Sequence, residues 1–224
     1  MSVVRNKICL LAFLVVIGLA ASAWAQVKDV RKYKREMDLA WRAGQLELSM
    51  VFPEVFTKKH RKRLESGFAS QILIHAQLLE HKKGTALAQA ILQYQIIYDM
   101  WEEKFTVRSE GPEGHRDFQL GSMDELIKKC GALDKLVLIQ VMDLPAGLKY
   151  RMRVRIVVNP MSEELRKKVR EYLSNPDGGS HIGSPRSFFG SFSKIFVDEK
   201  AFQADAVYTY RSPKKALPPK PGTD

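Results

Sequence analysis

Apolar and polar residues alternate at period two along much of the chain, and this pattern predicts β-strands. The strictest alternation covers residues 148–158, where apolar side chains occupy one face and Lys149, Arg151, Arg153 and Arg155 occupy the other. Further strands are predicted at residues 46–52, 68–80, 90–101, 136–141 and 202–210. The alternation weakens after Trp101 but continues toward Val107, before Gly111 interrupts it.

Three short helices are predicted between these strands. Pro53 is suited to the first helical turn, so a helix is expected over residues 53–67. Ser122 and Glu125 have the spacing of a capping box, which predicts a helix over residues 122–131. Ser162 can cap a third helix, with two acidic residues in its first turn.

The order of these elements favours a mainly β fold of the α+β type. Consecutive strands joined by short connections pair antiparallel, and the helices show no βαβ rhythm. We therefore expect an antiparallel β-sandwich or curled sheet with about three short helices, formed by a single domain over residues 45–211. Residues 26–44 are polar and basic and are predicted to be a linker or frayed helix. Residues 212–224 are predicted to be a Pro-rich, basic, extended and disordered tail.

The first 25 residues have the pattern of a secretory signal peptide. Arg5 and Lys7 precede an apolar run over residues 8–21, and Ala23-Trp24-Ala25 forms a small-residue cleavage site that would leave Gln26 as the new N-terminus. The alternative is an uncleaved membrane anchor, because five basic residues between positions 28 and 35 follow the run and oppose export.

Net charge changes its meaning once export is assumed. The chain has 36 Lys and Arg against 25 Asp and Glu; cleavage would remove two cations and no acid, leaving a charge of +9. Inside a cell this balance would indicate nucleic acid, whereas outside the cytoplasm it favours an acidic protein or an anionic lipid or envelope component. Cys130 would be the only thiol left, and its helical spacing from Ile127 predicts a buried core residue.

Two basic clusters are candidate anion-binding sites. The Lys149, Arg151, Arg153 and Arg155 side chains are about 7 Å apart on one strand face, where like charges repel unless anions or water separate them. The alternative is a solvent face neutralised by acids on adjacent strands. The second cluster lies on the predicted first helix and consists of Lys58, Lys59, Arg61, Lys62 and Arg63. The alternative for this cluster is a solvated helix face, with Phe56 and Leu64 packed inward.

Four phenylalanines follow a Gly/Ser-rich loop: Phe188, Phe189, Phe192 and Phe196. They are expected to form a flap that returns to the core, or else a surface cluster that inserts into a membrane or holds a ligand.

Signals for catalysis are poor. Ser191 and Lys194 match S-x-x-K but lack the companion motifs of penicillin-binding enzymes, so we interpret the match as chance. His75, Glu80 and His81 have a spacing that fixes no metal geometry. We therefore assign no catalytic residue, metal or cofactor.

The order of elements resembles a family of bacterial exported proteins called domain of unknown function 4390. The resemblance rests on the segments LELSMVFPEVFTKKHRKRLESGFASQILIHAQLL, AILQYQIIYDMWEEKFTV and LKYRMRVRI. Its marker positions here would be Gly67, Tyr94 or Tyr98, and Tyr150 with Arg153 or Arg155. The resemblance implies the periplasm of a Gram-negative bacterium and, as a possible partner, a membrane sensor kinase; it implies no catalytic residue.

These observations lead to one principal hypothesis and two alternatives. The principal hypothesis is a non-enzymatic periplasmic binding or adaptor domain whose basic sheet face binds an acidic partner or an anionic envelope component. The first alternative is a carrier of lipid or another hydrophobic ligand, motivated by the apolar sheet faces and the phenylalanine segment. The second is an envelope hydrolase using Ser191 and Lys194.

Cleavage after Ala25 makes the first testable prediction. Protein isolated from the cell envelope should give an N-terminal sequence that begins at or near Gln26, because the small-residue site directly follows the apolar run. An N-terminus elsewhere would support the anchored form instead.

Overall fold

A computed structural model describes residues 30–140, 144, 147–160 and 204–220. In these parts of the chain, eleven strands form one sheet, accompanied by a 3-10 turn at Pro53–Val55 and two α-helices. The helices are α1 (Lys58–Glu65) and α2 (Met123–Cys130). The strands are β1 (Val30–Lys34), β2 (Asp38–Arg42), β3 (Gln45–Val51), β4 (Ser70–Glu80), β5 (Ala86–Asp99), β6 (Lys104–Gly111), β7 (Gly114–Leu120), β8 (Ala132–Gln140), β9 (Lys149–Val158), β10 (Ala206–Arg211) and β11 (Lys215–Ala216).

The sheet is curled and mainly antiparallel, which confirms the predicted fold class. Its main path has the order β1-β10-β9-β4-β5-β8-β3-β2, and β1 with β10 is its parallel pair. Strand β11 continues the β10 edge by pairing with the beginning of β9. The β6–β7 hairpin leaves the main path at β5.

The curl follows from the connection between β1 and β2. These strands lie at opposite ends of the eight-strand path, yet only residues 35–37 separate them in sequence. Four extended peptide steps reach at most about 14 Å, so the two ends of the sheet must approach each other. Arg35 holds the approach: its amide donates to the Arg211 carbonyl at 3.0 Å, and its guanidinium pairs with Glu54 at 2.9 Å and contacts the Val51 carbonyl.

The main core lies on the inner face of this curl. Central strands contribute Ile74, Leu92 and Ile156, and the aromatic pair Tyr33 and Tyr210 stacks at 5.1 Å near the β1 edge. The outer face of the central strands is also buried in places, with four apolar side chains no more than 1 % exposed: Leu73, Ile91, Val157 and Val207.

Capping residues fix both helices at the predicted starts or close to them. Thr57 accepts a hydrogen bond from the His60 amide and caps α1, which begins five residues later than predicted because the chain first forms the 3-10 turn. Ser122 accepts from the Glu125 amide and opens α2, as the capping box predicted. A Cβ atom at Gly131 would lie 2.4 Å from the Ile127 carbonyl oxygen, so the end of α2 requires glycine.

The predictions made for the two segments that flank the domain, residues 26–44 and 212–224, were wrong. Residues 26–44, predicted to be a linker or frayed helix, contain β1 and β2, whose charged residues point outward at the sheet margins. The tail predicted at 212–224 contains β11, the buried Leu217, and a Pro218 carbonyl that accepts from Trp41 Nε1 at 3.0 Å. Pairing with existing strands satisfies backbone groups that composition alone suggested were solvated.

The boundaries predicted for the strand at residues 90–101 were also wrong. It begins at Ala86 and ends at Asp99, and a turn containing the exposed Met100 and Trp101 separates it from β6. Asp99 Oδ1 accepts from the Trp101 and Glu102 amides and so stabilises this turn. Strand β7 was not predicted, and the helix expected after Ser162 lies outside the described residues.

Burial of Leu217 makes a stability prediction. Leu217→Ala should lower the free energy of unfolding by about 2–4 kcal/mol, because it removes a side chain that is 4 % exposed and packs in the main core. Pro219→Ala, at a neighbouring exposed position, is the matched control and should change it little. Chemical denaturation of both variants measures the difference; equal stability would mean that the C-terminal segment is detached in solution.

Candidate functional site

The basic residues of β9 lie in rows that cross the outer face of the sheet. Strand β9 pairs with β4 on one side and with β10 on the other. Arg153 is opposite Gln77 of β4 and Arg211 of β10, while Arg151 is opposite Leu79. Paired residues share a face, so Arg151, Arg153 and Arg211 project from the same outer surface.

The next row carries the most buried cation of the described chain. Arg155 is opposite His75 and Thr209, and all three are buried, with Arg155 only 6 % exposed. Arg153 is partly buried, whereas Arg151 and Lys149 are exposed. The expectation of four equivalent outward cations was therefore wrong for Arg155. It lies between two full-length strands, while Arg151 lies beyond the β10 pairing and faces solvent.

A chain of directed hydrogen bonds fixes the middle of this face. The Arg153 guanidinium donates from Nε and Nη2 to Gln77 Oε1 at 3.0 and 2.6 Å. Gln77 Nε2 then donates to Gln89 Oε1 at 3.5 Å, and His75 Nε2 contacts the same oxygen at 3.1 Å. Because Gln89 Oε1 can only accept, His75 must carry its proton on Nε2.

His75 is held in its neutral form. Burial lowers its pKa to about 3; the Gln89 hydrogen bond opposes this shift, and the charges of Arg153 and Arg155 add to it. A second proton on the ring would place a third cation beside the two guanidinium groups in a desolvated environment. His75 is thus a neutral spacer between charged groups.

Exposed cations continue the face at one end of β9. The basic rim, as we call it, consists of Lys34, Lys149, Arg151, Arg211 and Lys214, and all five are exposed. None of them forms an ion pair within the described residues. The strand register places no Asp or Glu opposite Arg151, Arg153 or Arg155 on either neighbouring strand. Neutralisation by the described adjacent strands, the alternative raised by the sequence, does not occur at Arg151 or Arg153.

Two titratable groups respond to this concentration of positive charge. The pKa of Arg153 is lowered, first by burial and then by the positive charge of Arg211. The pKa of His81 is lowered by partial desolvation and by the charges of Lys214, Arg151, Lys149 and Lys82. Both shifts have the sign expected beside an electropositive surface.

The helical basic cluster lies elsewhere and serves a more structural role. His60 and Leu64 of α1 turn inward, and Phe56 packs beneath them. Arg61 donates from Nε to the Phe56 carbonyl at 2.8 Å, and Arg63 pairs with Asp205 at 3.4 Å. The other three cations, Lys58, Lys59 and Lys62, are exposed.

The structure does not bring the two basic clusters together. His60 of α1 contacts Ser70 at the beginning of β4, whereas Arg151 is opposite Leu79 near the end of that strand. Ser70 and Leu79 are nine residues apart along β4, which corresponds to about 30 Å. A single compact anion cannot bridge them.

A buried polar network beneath α1 was missed by the sequence analysis. His60 Nε2 lies 2.7 Å from Ser70 Oγ, and Ser70 donates to Asn159 Oδ1 at 2.9 Å. Asn159 Nδ2 donates to Asp205 at 2.8 Å. A serine beside a histidine could indicate a nucleophile, but Ser70 is only 3 % exposed and its proton is directed to Asn159. The network therefore ties α1 to the ends of β4 and β9.

Other candidates carry no site in the part of the chain that is described. Cys130 is a buried free thiol, as predicted, and burial raises its pKa to about 12. Residues 30–140, 144, 147–160 and 204–220 include no cluster of three His, Cys, Asp or Glu side chains able to hold a metal ion. No helix within them is long and apolar enough to cross a membrane. Ser191, Lys194 and the phenylalanines Phe188, Phe189, Phe192 and Phe196 lie outside the described residues.

The sequence analysis missed the neighbours that complete the basic rim. Lys34 lies in the segment interpreted as a linker, and Lys214 lies in the segment interpreted as a disordered tail. The alternation of Lys32, Tyr33 and Lys34 was the available signal, since Tyr33 turns inward while the lysines face outward.

Comparison of the chain with protein-family models, with curated proteins and with solved structures gives no match.

The neutral state of His75 makes a pH prediction. Its folded pKa lies below the unfolded value, so the unfolded chain binds the extra proton first and stability falls as pH drops below about 6.5. Between pH 7 and pH 5 this group should remove about 2 kcal/mol from the free energy of unfolding.

Denaturation of wild type and His75→Gln at both pH values measures this loss. The glutamine amide can still donate to Gln89, so the variant should lose about 2 kcal/mol less than wild type. Gln95→Asn, at an exposed position whose side chain does not titrate, is the control and should keep the wild-type pH dependence. Equal slopes for wild type and His75→Gln would show that His75 is not buried in its neutral form.

Proposed function

We propose that this protein is a non-enzymatic, exported binding or adaptor module that recognises an acidic partner protein through its basic rim. The observation that carries the proposal is the set of five exposed cations at one end of β9 and its neighbours, with no ion pair among the described residues. Unneutralised cations at this density repel one another, and carboxylates from a partner would relieve that repulsion.

The arrangement behind the rim supports recognition rather than chemistry. Arg153, Gln77 and Gln89 form a hydrogen-bonded chain that holds the central part of the face rigid. Paired strands fix the backbone from which the neighbouring Arg151 and Arg211 side chains project, so this backbone need not be ordered on binding. Guanidinium groups also donate two parallel hydrogen bonds to a carboxylate, and this bidentate geometry gives a docking surface its specificity.

The rim favours a protein over a membrane surface as the partner. The large exposed apolar residues Phe68, Met100 and Trp101 flank the α1 end of the sheet, far from the rim. Membrane association usually combines basic charge with apolar side chains that enter the interface. Anionic lipid headgroups offer similar negative charge, and they form a separate arm of the test.

Export is part of the same proposal. The N-terminal 25 residues have a basic start, an apolar run and a small-residue cleavage site, and they support a periplasmic location. The resemblance to domain of unknown function 4390 supports a Gram-negative envelope and a membrane sensor kinase as one candidate for the acidic partner. If cleavage does not occur, the module would instead remain anchored.

A charge-matched pair of variants tests the rim. Arg151→Ser/Arg211→Ser removes two rim cations, and Lys58→Ser/Lys59→Ser removes two exposed cations of α1. Wild type and the α1 variant should bind a poly-glutamate peptide with similar dissociation constants, whereas the rim variant should bind at least about tenfold more weakly. Calorimetric titration at low and at physiological salt measures these constants.

The lipid arm uses vesicles that contain phosphatidylglycerol. Binding to the vesicles but not to the peptide, with the same dependence on Arg151 and Arg211, would replace the acidic protein by an envelope lipid. Equal weakening of both double variants would show that net charge alone drives binding and would refute the role of the rim.

A further inference from the structure

The sheet forks along one edge of β5, and the fork leaves an open cleft. Residues Ala88 and Gln89 pair with β8, whereas residues 93–99 pair with β6. The two partner strands therefore diverge between Gln89 and Gln93. The β6–β7 hairpin forms one wall, and α2 with the beginning of β8 forms the other. The cleft has a volume of about 700 Å³, within the usual range for small-molecule sites.

The floor of the cleft is apolar and continuous with the inner core. It is formed by Leu92 and Tyr94 of β5, Phe118 of β7 and Leu133 of β8. These four belong to the core or pack against it, so their positions are fixed by surrounding side chains. Tyr94 also brings a hydroxyl, which makes no hydrogen bond with any described residue; burial and the nearby Cys130 raise its pKa. That hydroxyl is a neutral donor at physiological pH.

Most of the acidic residues at the opening of the cleft already form ion pairs or hydrogen bonds. Glu113 pairs with Arg116 at 2.8 Å, and Asp117 pairs with Arg108 at 3.3 Å. Glu125 accepts from the Gly121 amide at 2.8 Å as part of the α2 cap. Of the lining acids, Asp134 alone is not bonded to another described group.

The lysines at the opening of the cleft form fewer such interactions. Lys128 and Lys135 are exposed and form no ion pair with the described residues. Lys129 lies 6.0 Å above the Phe118 ring, over the apolar floor. The uncommitted charge around the opening is therefore positive, beside a floor that accepts hydrocarbon.

We propose that this cleft binds an amphipathic organic anion, with its apolar body on the floor and its acidic head between Lys128 and Lys135. Burial of apolar ligand surface supplies the affinity, and the lysines select an anionic head over a neutral or cationic one. The site is separate from the basic rim, which lies on β9, β10 and their neighbours. It gives a specific location to the hydrophobic-ligand carrier that the sequence raised as an alternative.

Three probes with the same chain test the chemistry of the site. Dodecanoate, dodecanol and dodecylammonium are titrated below their micelle concentrations into the full-length protein and followed by calorimetry. Dodecanoate should bind with a stoichiometry of one, dodecanol at least about tenfold more weakly, and dodecylammonium more weakly still. No saturable binding of dodecanoate, or equal binding of all three probes, would overturn the proposal.

Variants then locate the binding. Lys128→Ser/Lys135→Ser should reduce dodecanoate affinity to that of dodecanol, while Lys58→Ser/Lys59→Ser removes the same charge elsewhere and should have no effect. Ala132→Trp, at a half-buried position that lines the cleft, should fill the cleft and abolish the binding of both dodecanoate and dodecanol. Circular dichroism checks that this variant is folded; if it is not, the lysine pair alone decides. Undiminished binding by Lys128→Ser/Lys135→Ser would exclude the cleft.

The rim variant keeps the two proposals separable. Arg151→Ser/Arg211→Ser should bind dodecanoate as wild type does, because neither arginine lines the cleft. Loss of dodecanoate binding in this variant would place the ligand on the basic rim and count against the cleft.

Discussion

The three-residue connection between β1 and β2 is the constraint on which the rest of the structure depends. It forces the two ends of an eight-strand path together and so decides which face of each strand becomes the inside. Arg35 secures that approach by bonding to Arg211 on one side and to Glu54 and Val51 on the other. Once the inside is defined, the alternation of β9 directs every basic side chain to the outside.

The outer face then has to accommodate cations in a partly dry environment. Burying an arginine is costly unless hydrogen bonds satisfy it, and at Arg153 a neutral amide meets this demand. Gln77 accepts hydrogen bonds from Arg153 and donates one to Gln89. The neutral His75 contacts the same Gln89 oxygen. No carboxylate faces Arg151 or Arg153 across the neighbouring strands, so this part of β9 adds its positive charge to that of the exposed rim.

Local patterns predicted the parts of this structure that are themselves local. Alternation identified β3, β4, β9 and much of β5, and the capping box of Ser122 located α2, because each depends on neighbouring residues only. Strands β1 and β11 are short and charged, and prolines lie close to both ends of β11; they are strands only because the distant β10 and β9 offer them partners. The same dependence explains the site. The sequence predicted that Lys149 and Arg151 face outward, and they do. Arg155 is buried because it has a paired strand on each side, β4 and β10. Lys34 and Lys214 lie beside Lys149 and Arg151 only because β1 and β11 pair with strands that are distant in sequence.

The pairing of Trp41 with Pro218 has a consequence for how the chain is made. The indole of β2 bonds to a carbonyl 177 residues later, and β11 with Leu217 completes the edge beside β9. A nascent chain whose residues 206–217 are still inside a ribosome or a translocation channel therefore lacks β10, β11 and Leu217. Such long-range contacts form late and slowly, so Trp41 and β9 can meet this segment only after Pro218 has been released, and a chaperone has that whole interval in which to bind.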